Sequence, residues 1–409
     1  MAYRPLYKED VVTDRERKNM IFLDVIRRNG PIAKTDIARI TRHNIVTVSN
    51  YVEHYIKQKL VLERGLDVSS GGRRPELIEL NADWGFAVGV DIGPQAVTAV
   101  LTNLSPKIIR KKRIARPQGH MEQVINEAVK LTQAVIKEAD VDREKIRGIG
   151  LGISGVIDKQ AGTVRDTDPD RGVTVGNYIS AKSILEKELN IPVSIGNDAS
   201  LAALAEKKLS LRIDDENILY MYGDVGSGII TKNDLFWGSS WSAGEIQLSL
   251  ADADELGLPE WVTQSHFFKS RGLDMGILED VREFLASKPE GTDIWGLIGN
   301  DPKKLDIKAV FEAVRNGDKA VTEIVEKTMN LLGLKVSYLT NFLNPEVVVL
   351  GGGIEHGGDY SVNCVRRIVK KLVMEEVAGS VKIILSRLGD DAVALGAVSL
   401  VIQELFAEI

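Results

Sequence analysis

A single cysteine, Cys364, stands among 409 residues. That excludes an internal disulfide and any cysteine-rich zinc site. No apolar run approaches the length that spans a bilayer, and residues 1–10 are too polar for a secretory signal. These absences make the cytoplasm the expected location and leave no role for a membrane. Positive charge is also in deficit, with 52 Lys and Arg against 58 Asp and Glu. The deficit is uneven: residues 1–80 hold 15 basic against 11 acidic side chains, and the remainder holds 37 against 47. A basic head on an acidic body suits a DNA reader joined to a sensor of neutral ligands. The length exceeds what one compact core serves, so two or three domains are expected.

What is present is organised around Ser69, Ser70, Gly71, Gly72, Arg73, Arg74 and Pro75. Two glycines free the backbone, two arginines offer planar cations, and a proline stiffens the exit. The stretch follows a helical head. Apolar residues over 14–28 have helical spacing, and Asn29, Gly30 and Pro31 end that helix. A short helix over 34–40, a turn at 41–43, and a helix from 45 to about 58 with Asn44 as N-cap make a helix-turn-helix pattern. Val48, Val52, Tyr55 and Ile56 face inward. Ile45, Val46, Thr47 and Asn50 face outward, where Thr47 and Asn50 can bond base edges and the aliphatics can meet a thymine methyl. Strands over 60–63 and 77–80 flank a wing whose Arg73 and Arg74 suit a narrow minor groove. The expected partner is a double-stranded DNA operator. The competing reading is a helical protein-interaction domain with a basic loop.

Beyond residue 80 the pattern is α/β. Strands are expected over 86–92, 96–101, 146–153 and 193–195, with helices over 121–137, 183–188 and 200–208. A second half carries strands over 218–222, 347–350 and 382–385 and closes on an apolar helix from Ala392. Asn197 and Asp198 stand at a strand's C-terminal edge just before a helix, where α/β sheets bind ligands. Their simpler use is to cap the helix starting near Ser200. Trp237 and Trp241 fit either stacking on a sugar ring or packing.

The arginine joint with Leu80 and Asn81, the opening Val90-Asp91-Ile92-Gly93, Asn197-Asp198-Ala199, Gly244-Glu245-Ile246 and Gly351-Gly352-Gly353 together resemble the ROK family of repressors, open reading frames and kinases. The likeness runs from about Arg15 onward, in the branch of xylose and N-acetylglucosamine repressors. It implies a winged helix-turn-helix over 1–80, with wing and linker at 64–80. After it the resemblance implies a two-lobed, actin-like and hexokinase-type (ribonuclease H-like) domain over 81–409. Lobe one would take about 85–200 with 389–409, and lobe two about 201–388, with a sugar held between lobes. By the same resemblance Asn197, Asp198, Glu245 and Glu260 are sugar ligands, and homodimers or dimers of dimers are expected.

Departures from the family's kinases point away from catalysis. Pro94 follows Gly93 and removes an N–H that a phosphate loop would use. Asp224 stands where a second phosphate loop would run, and a carboxylate repels phosphate. The family's zinc ligands are missing, with Gln247 and Leu248 in their place, so no metal and no cofactor are expected. The expected protein is a sugar-responsive regulator, a repressor by family habit alone. The alternative is an active ATP-dependent sugar kinase with a DNA module, in which Asp198 would be the general base.

Overall fold

The computed structural model describes residues 13–66, 76–155, 157–158, 161–165, 178–248, 256–267, 269–287 and 289–409. The joint at 69–75, with Arg73 and Arg74, lies outside them. The chain divides into two compact units, one running to Leu201 and resuming at Val393–Ile409, the other covering Ala202–Ala392.

Unit one begins with three helices, α1 (Asp14–Asn29), α2 (Lys34–Thr41) and α3 (Ile45–Lys57), and a small antiparallel sheet. Its strands are β1 (Ile32–Ala33), β2 (Val61–Leu66) and β3 (Glu76–Leu80), with β3 in the middle. Val61 pairs with Leu80 and Glu63 with Ile78, which places Val61, Ile78 and Leu80 in the core. The sequence leaves β1 invisible because two residues are too few to show a period.

A five-stranded sheet follows: β4 (Phe86–Ile92), β5 (Ala96–Asn103), β6 (Ile108–Ala115), β7 (Ile146–Ile153) and, after the short strands β8 (Ile157–Asp158), β9 (Thr163–Arg165) and β10 (Tyr178–Ile179), β11 (Val193–Asn197). The order is β11-β7-β4-β5-β6, with β11, β7 and β4 parallel and the other pairs antiparallel. Helices α4 (Met121–Glu138) and α5 (Ala181–Leu189) bury Val124, Ile125, Leu131 and Leu185 against one face. Helix α6 starts at Asp198 and runs to Leu209, two residues earlier than the pattern suggests. The opposite face carries α14 (Ala392–Glu408). A Cβ on Gly89 would lie 2.0 Å from the Ala394 carbonyl oxygen, so the helix backbone rests directly on the sheet.

The other side of α14 meets the head. Phe22, Ile26, Val48 and Tyr55 share one hydrophobic cluster with Ala87, Val100 and Leu104 of the sheet region and with Ala394, Val398, Ile402 and Phe406 of α14. Covered from two directions, α14 is apolar nearly all round, as a fully enclosed helix must be. Tyr55 donates to Asn19 (2.8 Å), Asn19 donates to the Ala407 carbonyl (3.5 Å), and Arg15 donates to the Ile409 carbonyl (3.0 Å). The apolar side chains of the head, Leu23, Ile37, Val52 and Leu60 among them, are thus continuous with a cluster that also takes in the sheet region and α14.

Unit two repeats the sheet plan. Strands β12 (Ile218–Tyr222), β13 (Gly226–Thr231), β14 (Asp234–Leu235), β15 (Val347–Gly351) and β16 (Lys382–Leu385) lie in the order β14-β13-β12-β15-β16. Two of its pairings are parallel and two antiparallel, as in unit one. Short helices α7 (Glu260–Thr263) and α9 (Ile294–Leu297) accompany α8 (Ile277–Ala286), α10 (Ile307–Asn316), α11 (Lys319–Leu343), α12 (Asp359–Leu372) and α13 (Glu375–Ser380). Asp306 and Asp318 cap α10 and α11 through the N–H groups of Ala309 and Val321. Leu219, Met221, Val348 and Leu350 meet Val325, Met329, Leu332 and Val365 in the core.

Candidate functional site

Asn44 opens α3 as a true N-cap, its Oδ1 accepting from the Val46 N–H at 2.8 Å. Val48, Val52 and Tyr55 are fully buried, and Ile56 is half-buried. That leaves the first turn of α3 facing solvent. Ile45 is 40% and Val46 63% exposed, Asn50 and Asn44 are exposed, and Thr47 is half-buried. Ile45 and Val46 thus place apolar surface beside the polar Asn44 and Asn50 at the start of α3. The hairpin β2–β3 is held by its ladder and by an Arg64–Glu79 ion pair at 2.7 Å.

In unit one, Asn197 ends β11 and Asp198 begins α6. The cap is Asn197, whose Oδ1 accepts from the Ser200 N–H at 3.3 Å while its Nδ2 donates to the Gly155 carbonyl at 3.4 Å. Capping therefore accounts for Asn197 and not for Asp198. The Asp198 carboxylate accepts the Ala199 N–H at 2.8 Å on Oδ1 and the Ser154 hydroxyl on Oδ2. It is almost wholly buried. Burial pushes its carboxyl above the ordinary range, while the Ser154 hydroxyl and the Ala199 amide pull it back. Ser154, the hydroxyl partner of Asp198, is a residue that sequence reasoning passes over. Only its position at the end of β7, beside β11 in a parallel pair, marks it.

Glu245 and Glu260 belong to unit two and are both exposed, Glu260 accepting from Gln264 at 2.5 Å at the start of α7. Trp237 is buried and Trp241 half-buried, with their ring centroids 5.2 Å apart.

The two turns flagged for phosphate are both internally committed. The Gly93 N–H already donates to the Ala96 carbonyl at 3.0 Å, and Pro94 has none to give. Asp224 does not face solvent. It is buried in an ion pair with Lys335 of α11 and accepts the Arg271 N–H at 3.1 Å. Among the described residues no cluster of His, Cys, Asp and Glu could hold a metal ion, and no helix is long and apolar enough to cross a membrane.

The ROK family model matches residues 87–255 and 281–404, well over half the chain. The chain belongs to the ROK family. Its fold is accordingly the mixed α/β, actin-like fold of sugar kinases. This ROK chain is similar to the xylose repressor of Caldicellulosiruptor bescii, 28% identical over 404 residues, covering 96% of this chain and 97% of that one. It is also similar to the glucokinase of Thermotoga maritima, 26% identical over 332 residues, covering 77% of this chain and 96% of the kinase. Among solved structures it resembles a ROK family transcriptional regulator described as a homologue of the E. coli MLC protein. That likeness has a TM-score of 0.73 at 18% identity and covers 96% of this chain and 97% of the other. The contrast in coverage is informative. A match over 96% of the ROK chain must take in most of its head, whereas 77% leaves room to omit it.

Proposed function

We propose that this ROK chain is a sugar-responsive transcriptional repressor working in the cytoplasm, with residues 1–80 as a winged helix-turn-helix that reads operator DNA. The observation that carries the reading is the α3 start, where Ile45, Val46 and Asn50 are turned to solvent while Val48, Val52 and Tyr55 are buried. The nearly full-length likeness to a xylose repressor supports it. Asn197 and Asp198 of unit one are the proposed effector ligands, with Glu245 and Glu260 as further candidates carried by unit two. Carboxylates and amides on rigid strand ends suit sugar hydroxyls.

Catalysis is not part of this reading, because the Gly93 amide, Pro94 and Asp224 offer nothing to a triphosphate. A coupled assay with ATP and a hexose panel tests that point, and turnover abolished by Asp198→Asn would restore the kinase alternative.

The proposed DNA-binding form is a homodimer, alone or paired into a dimer of dimers. Support comes from α11, where Leu334, Tyr338 and Phe342 recur four residues apart and are 42%, 60% and 76% exposed. From Leu331 to Leu343 the only charged side chain is Lys335, which is buried. An exposed helix face without charge is what an isologous contact uses. Phe342→Glu is expected to yield monomers in analytical ultracentrifugation.

The test of DNA reading is a gel shift on DNA upstream of the chain's own gene. Thr47→Ala and Asn50→Ala are each expected to weaken binding by about 1–3 kcal/mol and to relax sequence preference. Arg73→Ala and Arg74→Ala are expected to flatten the salt dependence, by about 0.9 in slope for each phosphate no longer neutralised. A shift that none of these four variants alters would place the DNA-reading surface elsewhere and end the reading.

A further inference from the structure

Ser154 does more than join two strand ends. Its hydroxyl has one hydrogen, and that hydrogen goes to Asp198 Oδ2. The lone pairs left on Oγ can only accept. Asp198 in turn has one oxygen engaged by Ser154 and the other by the Ala199 N–H, which leaves each carboxylate oxygen further acceptor capacity. Ser154 is half-buried, in contrast to Asp198 beneath it. Ser154 and Asp198 are the residues that directly follow two adjoining parallel strands, whose register pairs Asn197 with Ile153. The result is two neighbouring acceptor groups fixed by backbone on both sides.

We infer that Ser154 is a direct effector ligand and that the Ser154–Asp198 pair recognises a vicinal diol, one hydroxyl donating to the Asp198 carboxylate and its neighbour to Ser154 Oγ. This deepens the sugar-sensing reading and rests on it. The direction of the Ser154–Asp198 hydrogen bond sets the specificity. A group that can only accept, such as an ether or a carbonyl, finds no donor here, because the Ser154 hydrogen is already committed. A pair of adjacent hydroxyls satisfies both acceptors at once. A lone hydroxyl leaves Ser154 Oγ without a partner once water is displaced.

The experiment is a thermal-shift titration of the full chain with D-xylose, D-glucose and N-acetyl-D-glucosamine, followed by the monodeoxy analogues of whichever sugar binds. With the native chain, one deoxy analogue should bind about tenfold more weakly because it lacks the hydroxyl that Ser154 accepts. With Ser154→Ala the parent sugar should fall by about the same factor, and that one analogue should then equal the parent. Ser154→Thr keeps the hydroxyl and should restore the native pattern. A purely structural Ser154 would instead lower parent and every analogue alike in Ser154→Ala, which overturns the inference, as does an unchanged pattern. If the native chain binds no sugar of the panel, the sensing reading itself falls and takes this inference with it.

Discussion

Lys335→Met is expected to destabilise unit two by about 3–5 kcal/mol, read as a lower urea midpoint at unchanged slope. The side chains of Lys335 and Asp224 are 3% and 1% exposed. Removing the cation strands a carboxylate with the Arg271 N–H as its remaining partner. The paired change Asp224→Asn with Lys335→Met is expected to recover most of the loss, because an amide oxygen still accepts from Arg271 and no charge stays buried. Should the double variant fall as far as the single, the cost belongs to packing around α11 and not to charge. The pair also separates two accounts of the glycine turn after β12. If Asp224 were there to repel phosphate, losing Lys335 would barely touch folding.

The second large effect is expected at Phe406. Its ring is almost fully enclosed in the cluster that the head shares with the sheet and α14. Phe406→Ala should cost about 3–5 kcal/mol. Operator affinity should drop with it, while sugar binding, which we propose at the residues following β7 and β11, should hold. That split is the informative outcome. A head that folded by itself would bind DNA as before, and equal loss of both activities would mean that unit one unfolds as a whole.

How far the sequence is legible depends on where each element's partners lie. Strands β4, β7 and β12 read clearly because unbroken apolar runs bounded by Gly and Asp have few alternatives. The first helices read well for the same local reasons: an Asn cap before α3, and Asn29, Gly30 and Pro31 after α1. Strand β6 does not register, since its basic residues mask the period. In the structure Arg110 and Lys112 reach Glu138 of α4 while Ile109 and Ile114 pack on the core. Asp224 takes its meaning in the sequence from its neighbours, but its partner is 111 residues away. No local pattern carries that distance. Asn197 and Asp198 stand out at once, yet the difference between them, a helix cap and a buried carboxylate held by Ser154, emerges only in the structure. The arginine joint at 69–75 lies outside the described residues, so its part in DNA reading stands on composition alone.

The bipartite packing of α14 also orders events during synthesis. The head leaves the ribosome first, and the part of its apolar cluster completed by Ala394, Val398, Ile402 and Phe406 waits until the segment after Ala392 has been made. A polypeptide halted before that segment is therefore expected to leave apolar surface of the head open and to be cut by protease faster than the full chain.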